Sequence, residues 1–174
     1  DEAAIQGWIG RNGVLTKTES GLLLEPESEA AGARAFLTNS RLDIPGPVTV
    51  VLRIRAVAGG TGPGRITWRT REASFAEHQV SEFRWPEGSE WREVAVELRE
   101  RSRIQHVRIQ PPVGAEGVEV QAMEFRGAGE VVERDVGHHA TGQVQACVIR
   151  IGLPKTVRGG DFAGRCKAFH GYRG

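Results

Sequence analysis

The residues with the clearest chemical potential are five arginines on two predicted strands that follow one another in the chain: Arg53, Arg55, Arg65, Arg69 and Arg71. Within each strand their spacing of two or four residues places them on one side of an extended chain. Guanidinium groups suit planar anions such as sulfate or carboxylate, which accept two parallel hydrogen bonds. If the two strands are neighbours in one sheet, as consecutive strands often are, the five side chains predict an anion-binding surface.

Two other arrangements of these arginines stay open at the level of sequence. The guanidinium groups could pair across the sheet with strand carboxylates such as Glu93 and Glu97, which would leave an ordinary solvated surface. In a sandwich the two strands could also lie in different sheets, and the arginines would then form two separate groups.

The four tryptophans bear on sugar binding, because sugars usually stack on an exposed aromatic ring. Trp85 stands in the turn-like stretch Arg84-Trp85-Pro86-Glu87-Gly88 and is predicted to be the most exposed of the four. Trp91 begins a predicted strand on the side opposite its apolar residues. Trp85 and Trp91 therefore join the arginines as predicted ligand contacts. Trp8 and Trp68 have apolar neighbours and are predicted to lie in the core.

Catalytic signatures do not appear in this sequence. It has no G-x-S-x-G elbow, no H-E-x-x-H pair and no phosphate-binding glycine motif placed between a strand and a helix. Carboxylate pairs such as Glu72 with Glu77, or Glu93 with Glu97, could serve glycoside hydrolysis, but alternating glutamates on a solvated strand face are far commoner. The sequence contains no Asp-rich loop of the kind that would predict a calcium site. We predict no enzyme activity and no cofactor.

The elements that must position these side chains are strands. Residues 48–56 alternate strictly, with apolar side chains at the even positions, and residues 65–71 and 91–98 alternate in the same way. Residues 104–110 predict another strand, with Val107 and Ile109 on one face. The alternation slips near Met123, which predicts a β-bulge. Shorter strands fit residues 14–17, 21–25, 34–39 and 79–84. Short strands separated by turn residues predict an all-β antiparallel sandwich of jelly-roll type over residues 1–130.

Residues 131–174 differ from the rest in composition. They hold both cysteines and carry seven Lys/Arg against three Asp/Glu, whereas residues 1–130 are net acidic. We predict a loosely packed extension of doubtful native origin. Pairing of Cys147 with Cys166 is left open, and the spacings argue against a zinc site built from His138, His139, Cys147, Cys166 and His170. The net negative charge of residues 1–130 does not suit the binding of nucleic acid, and no apolar run is long enough to span a membrane.

The sequence resembles the C-terminal β-sandwich domains of secreted planctomycete-type bacterial sulfatases. The resemblance rests on Trp8, Asn12-Gly13, Gly21-Leu22-Leu23, Gly88 and residues 42–50, 64–69, 91–98, 106–109 and 118–127. It implies a galactose-binding-like jelly roll, similar to a carbohydrate-binding module, in an extracytoplasmic location. It also implies a non-catalytic role, because the Cys/Ser-x-P-x-R signature of the sulfatase catalytic domain is missing.

These observations lead to three hypotheses about function. The first is a carbohydrate-binding or accessory module of a sulfatase-type enzyme, with sulfated polysaccharide or the linked catalytic domain as its partner. The second is a purely structural domain that stabilises a larger enzyme. The third is an independent glycan-active hydrolase, which requires converging carboxylates in one cleft.

Overall fold

A computed structural model describes residues 7–27, 34–59 and 62–127 of the chain. These residues form eleven strands: β1 (Ile9–Arg11), β2 (Gly13–Lys17), β3 (Leu22–Pro26), β4 (Phe36–Asn39), β5 (Ile44–Pro45), β6 (Val48–Gly59), β7 (Pro63–Thr70), β8 (Val80–Arg84), β9 (Arg92–Leu98), β10 (Arg103–Gln110) and β11 (Ala115–Gly127). The described part contains no helix, and hence none that is long and apolar enough to span a membrane. The predicted extension at residues 131–174 lies outside the described residues.

The strands form two antiparallel sheets that pack face to face. One sheet has the order β1-β4-β10-β7-β8, with β5 added beside β10, and is named here the β7 sheet. The other has the order β2-β3-β11-β6-β9 and is named the β6 sheet. Every pair is antiparallel. The predicted all-β sandwich of jelly-roll type is therefore confirmed.

Period-two alternation places the core between the sheets. Val50, Leu52 and Ile54 of β6 are fully buried, as the sequence pattern predicted. The predicted slip in β11 is a register shift between Val120 and Ala122 in the pairing with β6. Because the shift restores the inward phase, Val120 and Phe125 both point into the core and are fully buried.

The order of strands differs from the sequence expectation at one decisive point. The anion-binding surface predicted from the five arginines required β6 and β7 to be neighbours in one sheet, as consecutive strands often are. β6 and β7 instead lie in opposite sheets, so the chain crosses the sandwich between Gly59 and Pro63. Asn12 makes a similar crossing between β1 and β2, with a left-handed φ of 54° that asparagine tolerates.

Candidate functional site

The crossing between β6 and β7 divides the five predicted arginines between two outer surfaces. Arg53 and Arg55 stand on β6, whereas Arg65 and Arg69 stand on β7 and Arg71 follows it directly. The single five-arginine surface is therefore wrong, and the alternative that the sequence left open, two separate groups in different sheets, is confirmed. Strand neighbours in a sandwich are fixed by which sheet each strand joins, and adjacency along the chain does not determine that.

The arginines on the outer surface of the β6 sheet have carboxylates of the same sheet beside them. Arg55 donates from Nε to Glu119 Oε2 at 2.6 Å, and its guanidinium Cζ lies 4.5 Å from the ring centroid of Trp91. Arg53 lies opposite Glu93 in the β6–β9 register. Arg55 and Trp91 are thus occupied with each other and with Glu119, which leaves them poorly placed to receive a ligand.

Glu119 is the centre of a buried network on that surface. Its carboxylate also accepts hydrogen bonds from Ser20 Oγ at 2.8 Å and Thr18 Oγ1 at 3.1 Å, which tie the β2–β3 turn to β11. Burial alone would raise the pKa of Glu119. The hydrogen bonds from Ser20, Arg55 and Thr18 outweigh that effect and hold the pKa below its ordinary value.

Replacing Glu119 by glutamine should therefore lower the free energy of unfolding by about 2 kcal/mol, because it leaves the partly buried charge of Arg55 without a counter-ion. Urea denaturation of the two single variants, Glu119→Gln and Arg55→Gln, and of the double variant measures this. We expect the double variant to lose less stability than the two single losses added together. Strictly additive losses would show that the two side chains do not interact.

The outer surface of the β7 sheet has a different character. Ile104, Val107 and Ile109 of β10 are all fully buried, although the first two are three residues apart. A register shift between Ile104 and His106 changes the phase of the strand. His106 and Arg108 consequently face outward, beside Arg69 and Thr67 of β7. We name the residues of this surface the cationic face: Phe36, Arg65, Arg69, Arg71, Phe75, His106 and Arg108.

Arg108 is the best-fixed cation of the cationic face. Its guanidinium Cζ lies 3.7 Å from the ring centroid of Phe75, in the β7–β8 loop, and 5.3 Å from that of Phe36, on β4. No carboxylate forms an ion pair with Arg108 within the described ranges. Burial lowers the pKa of Arg108, and the positive charge of Arg69 lowers it further.

Arg69 is the second unneutralised cation. It lies directly opposite His106 and diagonally opposite Arg108, a relation that separates Cβ atoms by about 7 Å. Like Arg108, Arg69 forms no ion pair with any carboxylate that the structure describes, and its side chain is exposed. Two like charges therefore stand side by side without compensation, and a bound anion would relieve their repulsion.

His106 completes the centre of the cationic face as a neutral group. Its Nε2 lies 2.5 Å from Thr38 Oγ1, and the Thr38 hydroxyl also donates to the carbonyl of Val107 at 3.2 Å. Burial, followed by the positive charges of Arg108 and Arg69, lowers the pKa of His106 from 6.5 to about 4. The imidazole consequently carries no charge near pH 7.

The pKa of His106 predicts a pH dependence of stability. As the pH falls below 6.5, the unfolded chain takes up a proton that the folded chain refuses until about pH 4, so the free energy of unfolding should decrease across that interval. His106→Gln should flatten the profile between pH 7 and pH 5, measured by urea denaturation. His78→Gln, which alters an exposed loop histidine, is the matched control. An unchanged profile in His106→Gln would contradict the assignment.

The remaining predicted arginines of the β7 sheet stand at the margins of the cationic face. Arg65 donates from Nε to Glu82 Oε1 at 2.7 Å and is thereby neutralised. Arg71 is exposed and lies close to Asp43. The pKa of Asp43 is lowered chiefly by its hydrogen bond from Arg103, and also by the charge of Arg71.

Trp85 is not an exposed sugar platform, and this correction changes the predicted site. Its side chain is 1% exposed, and its ring centroid lies 5.6 Å from that of Phe83. Both rings pack over Gly64 of β7, where an added Cβ would come within 2.8 Å of Trp85 Cε3. The spacing of Phe83 and Trp85, two residues apart around the outward Arg84, was the available signal that Trp85 points inward. Trp8 and Trp68 are buried as predicted.

Sequence reasoning did not select Arg108, His106, Phe75 and Phe36 as site residues. The outward position of Arg108 was implied by the alternation around Val107 and Ile109. Its proximity to Arg69 depends on β10 lying beside β7, although 32 residues separate the two strands in the chain, from Arg71 to Ser102. Phe75 comes from a loop for which no periodic pattern exists.

A separate cleft of about 520 Å³ opens between the edge strands β8 and β9. Glu82, Glu97 and Glu100 line it, together with the edge of Trp68, whose Nε1 donates to Glu100 Oε2 at 3.2 Å. Arg99 also lines the cleft and pairs with Glu97, so the charged lining is net negative and does not favour an anion. Among the residues that the structure describes, no group of three His, Cys, Asp or Glu side chains could hold a metal ion. The histidines and cysteines of residues 131–174, whose spacings argued against a zinc site, lie outside the described residues.

Comparison with solved structures finds the same fold in family 29 carbohydrate-binding modules. A variant of the module CBM29-2 complexed with cellulohexaose has a TM-score of 0.52 and 8% identity, covering 71% of this chain and 82% of its own. Another CBM29-2 variant has a TM-score of 0.51 and 11% identity, covering 71% and 78%. No family model matches the sequence, and no curated protein matches it. The comparisons thus show that this chain has the β-sandwich fold of these modules.

Proposed function

We propose that this protein is a non-catalytic carbohydrate-binding module that binds anionic polysaccharides, sulfated chains in particular, through the cationic face. The observation that carries the proposal is the pair Arg69 and Arg108, which stand side by side with no carboxylate partner in the described part of the chain. The fold shared with carbohydrate-binding modules supports a glycan as the ligand.

Charge distinguishes this site from one for neutral sugars. The three tryptophans Trp8, Trp68 and Trp85 are buried, and Arg55 lies over the ring of the partly buried Trp91, so no tryptophan presents a fully exposed ring. Guanidinium groups, in contrast, match the oxygens of a sulfate ester or a carboxylate in charge and geometry. An extended sheet surface also suits a polymer, because several anionic groups can contact it along its length.

The carboxylate pair Glu93 and Glu97, considered from the sequence, gives no support to a glycoside hydrolase. Glu93 and Glu97 are four residues apart on β9, which places them about 13 Å apart along the strand. Glycosidase carboxylates stand about 5 to 10 Å apart across the scissile bond. Glu93 also faces Arg53, and Glu97 forms an ion pair with Arg99 at 3.5 Å.

The cellular context of the module follows from the sequence resemblance only. We extend the proposal to an extracytoplasmic module that accompanies a sulfatase-type enzyme and holds it near a sulfated substrate. Residues 131–174, with their basic balance, would then connect or flank the module.

Binding of the full chain to dextran sulfate, unsubstituted dextran and cellulohexaose tests the proposal. We expect binding to dextran sulfate that weakens steeply between low and physiological salt, because ion pairs with a polyanion release condensed counter-ions. Dextran has the same backbone without charge and should not bind. Binding of cellulohexaose with no affinity for dextran sulfate would contradict the anionic assignment. Absence of binding to all three would favour the purely structural role.

A further inference from the structure

The side chain that sets the position of Arg108 comes from the β7–β8 loop. Phe75 places its ring 3.7 Å from the guanidinium carbon, within the range of a close cation–π contact. The Nε atom of Arg108 is buried and has no hydrogen-bond partner among the described residues. The donors left for a ligand are therefore the two Nη nitrogens, which form a planar fork at the end of the guanidinium group.

The loop that carries Phe75 is held on both sides of that residue. Before it, Ala73 donates its backbone N–H to Thr70 Oγ1 at 3.2 Å. After it, Ala76 donates to the side-chain oxygen of Gln79 at 3.1 Å, and Gln79 is 2% exposed. Since hydrogen bonds from the ends of β7 and β8 flank Phe75, its ring has a defined place above β10.

His106 supports the same arrangement from the sheet. Its ring meets that of Phe75 edge to face, with centroids 5.0 Å apart and planes at 72°. The hydrogen bond to Thr38 fixes the imidazole in turn. A neutral imidazole at this place packs against Phe75 without adding a third positive charge beside Arg69 and Arg108.

We propose that Phe75 is a positioning residue that fixes the plane of the Arg108 guanidinium, so that its two Nη nitrogens present a ready-made fork to one anionic group of the polysaccharide. This inference rests on the proposed function. A guanidinium that is already ordered loses less side-chain entropy when it binds, and the gain appears as affinity. Arg69 has no such ring contact among the described residues and contributes mainly charge.

Two substitutions of Phe75 separate positioning from charge. Phe75→Leu keeps an apolar side chain but removes the ring, and should weaken the binding of dextran sulfate by about tenfold. Phe75→Tyr keeps the ring and should retain the affinity of the wild type within about twofold. Thermal melting of both variants confirms that they are folded.

The salt dependence of binding discriminates further. Because Phe75→Leu removes no charge, the slope of log Kd against log salt concentration should equal that of the wild type. Arg108→Ala should reduce this slope by about one, which corresponds to one counter-ion fewer released on binding. Unchanged affinity in folded Phe75→Leu would overturn the inference, and so would a reduced slope in that variant.

A ligand-free measurement keeps this inference separate from the proposed function. Because Phe75 contacts the guanidinium group, the NMR order parameter of the Arg108 Nε–H bond should fall in Phe75→Leu and stay at the wild-type value in Phe75→Tyr. If the wild type fails to bind dextran sulfate but the order parameter falls in this way, the proposed ligand is wrong and the positioning of Arg108 by Phe75 stands. An unchanged order parameter in Phe75→Leu means that Phe75 does not position Arg108.

Discussion

Replacing Arg69 and Arg108 together by alanine is expected to weaken the binding of dextran sulfate by at least about 100-fold. Each guanidinium that donates to an anion contributes about 1.5 to 3 kcal/mol, so losing two contacts corresponds to two or more decades in Kd. The slope of log Kd against log salt concentration should also decrease for the residual binding, because fewer counter-ions are released. Isothermal titration calorimetry of the full chain at two salt concentrations measures both effects.

The matched control removes the same charge from the opposite surface. Arg53→Ala with Arg126→Ala takes two guanidinium groups from the β6 sheet, where Arg53 faces Glu93 and Arg126 pairs with Glu124. This variant should bind dextran sulfate within about threefold of the wild type, a loss that reflects only the general decrease in charge. Equal losses in the two double variants would mean that attraction is non-specific and that the cationic face is not the site.

A conservative pair of substitutions tests geometry apart from charge. Arg69→Lys with Arg108→Lys preserves both charges but replaces each planar fork with a point charge. The affinity should fall between those of the wild type and of the double alanine variant. Wild-type affinity in the lysine variant would show that charge alone determines binding and that the fork of Arg108 has no role.

Trp85→Ala is expected to lower the free energy of unfolding by about 3 to 5 kcal/mol, the usual cost of deleting a large aromatic side chain from a core. Trp85 is 1% exposed and packs with Phe83 over Gly64, so its truncation to alanine leaves a cavity in the core. For a domain of this size the melting temperature should fall by about 10 to 20 °C. Differential scanning calorimetry measures the change directly.

Trp85→Phe provides the graded comparison, since it keeps a ring in the same place and should cost markedly less than alanine. At a temperature where the Trp85→Ala variant is still folded, the Kd of that variant for dextran sulfate should equal the Kd of the wild type. A variant with unchanged melting temperature and lost binding would instead place Trp85 on the ligand surface, as the sequence pattern had indicated.

Much of the fold could be predicted because the alternation that marks a strand depends only on residues that are close together in the chain. Strict alternation over residues 48–56 gave the inward set of β6, and the slip near Met123 gave the bulge of β11. Two short strands, β1 and β5, escaped prediction since three and two residues are too few for a period to be recognised. Local pattern also placed Trp8 and Trp68 correctly in the core.

The candidate site was predictable only in part. Arg69 was selected for its outward position on β7, and it does lie on the cationic face. Arg55 and Trp91 were selected on the same grounds, yet they contact each other and Glu119 on the opposite sheet. Pattern gives the side of a strand on which a residue lies, and it contains no information about the carboxylate or ring that a distant strand brings to that residue.

The sequence by itself determined the strands, their inward faces and the all-β class, because each of these depends on the two-residue period of an extended chain. Only the tertiary structure decided that β6 and β7 belong to different sheets and that β10, with Arg108, lies beside β7. It likewise decided that Phe75 folds back over that strand. These outcomes follow from the packing of two whole sheets around one core. The free energy of that packing depends on all the strands together, so no single segment of the chain predicts it.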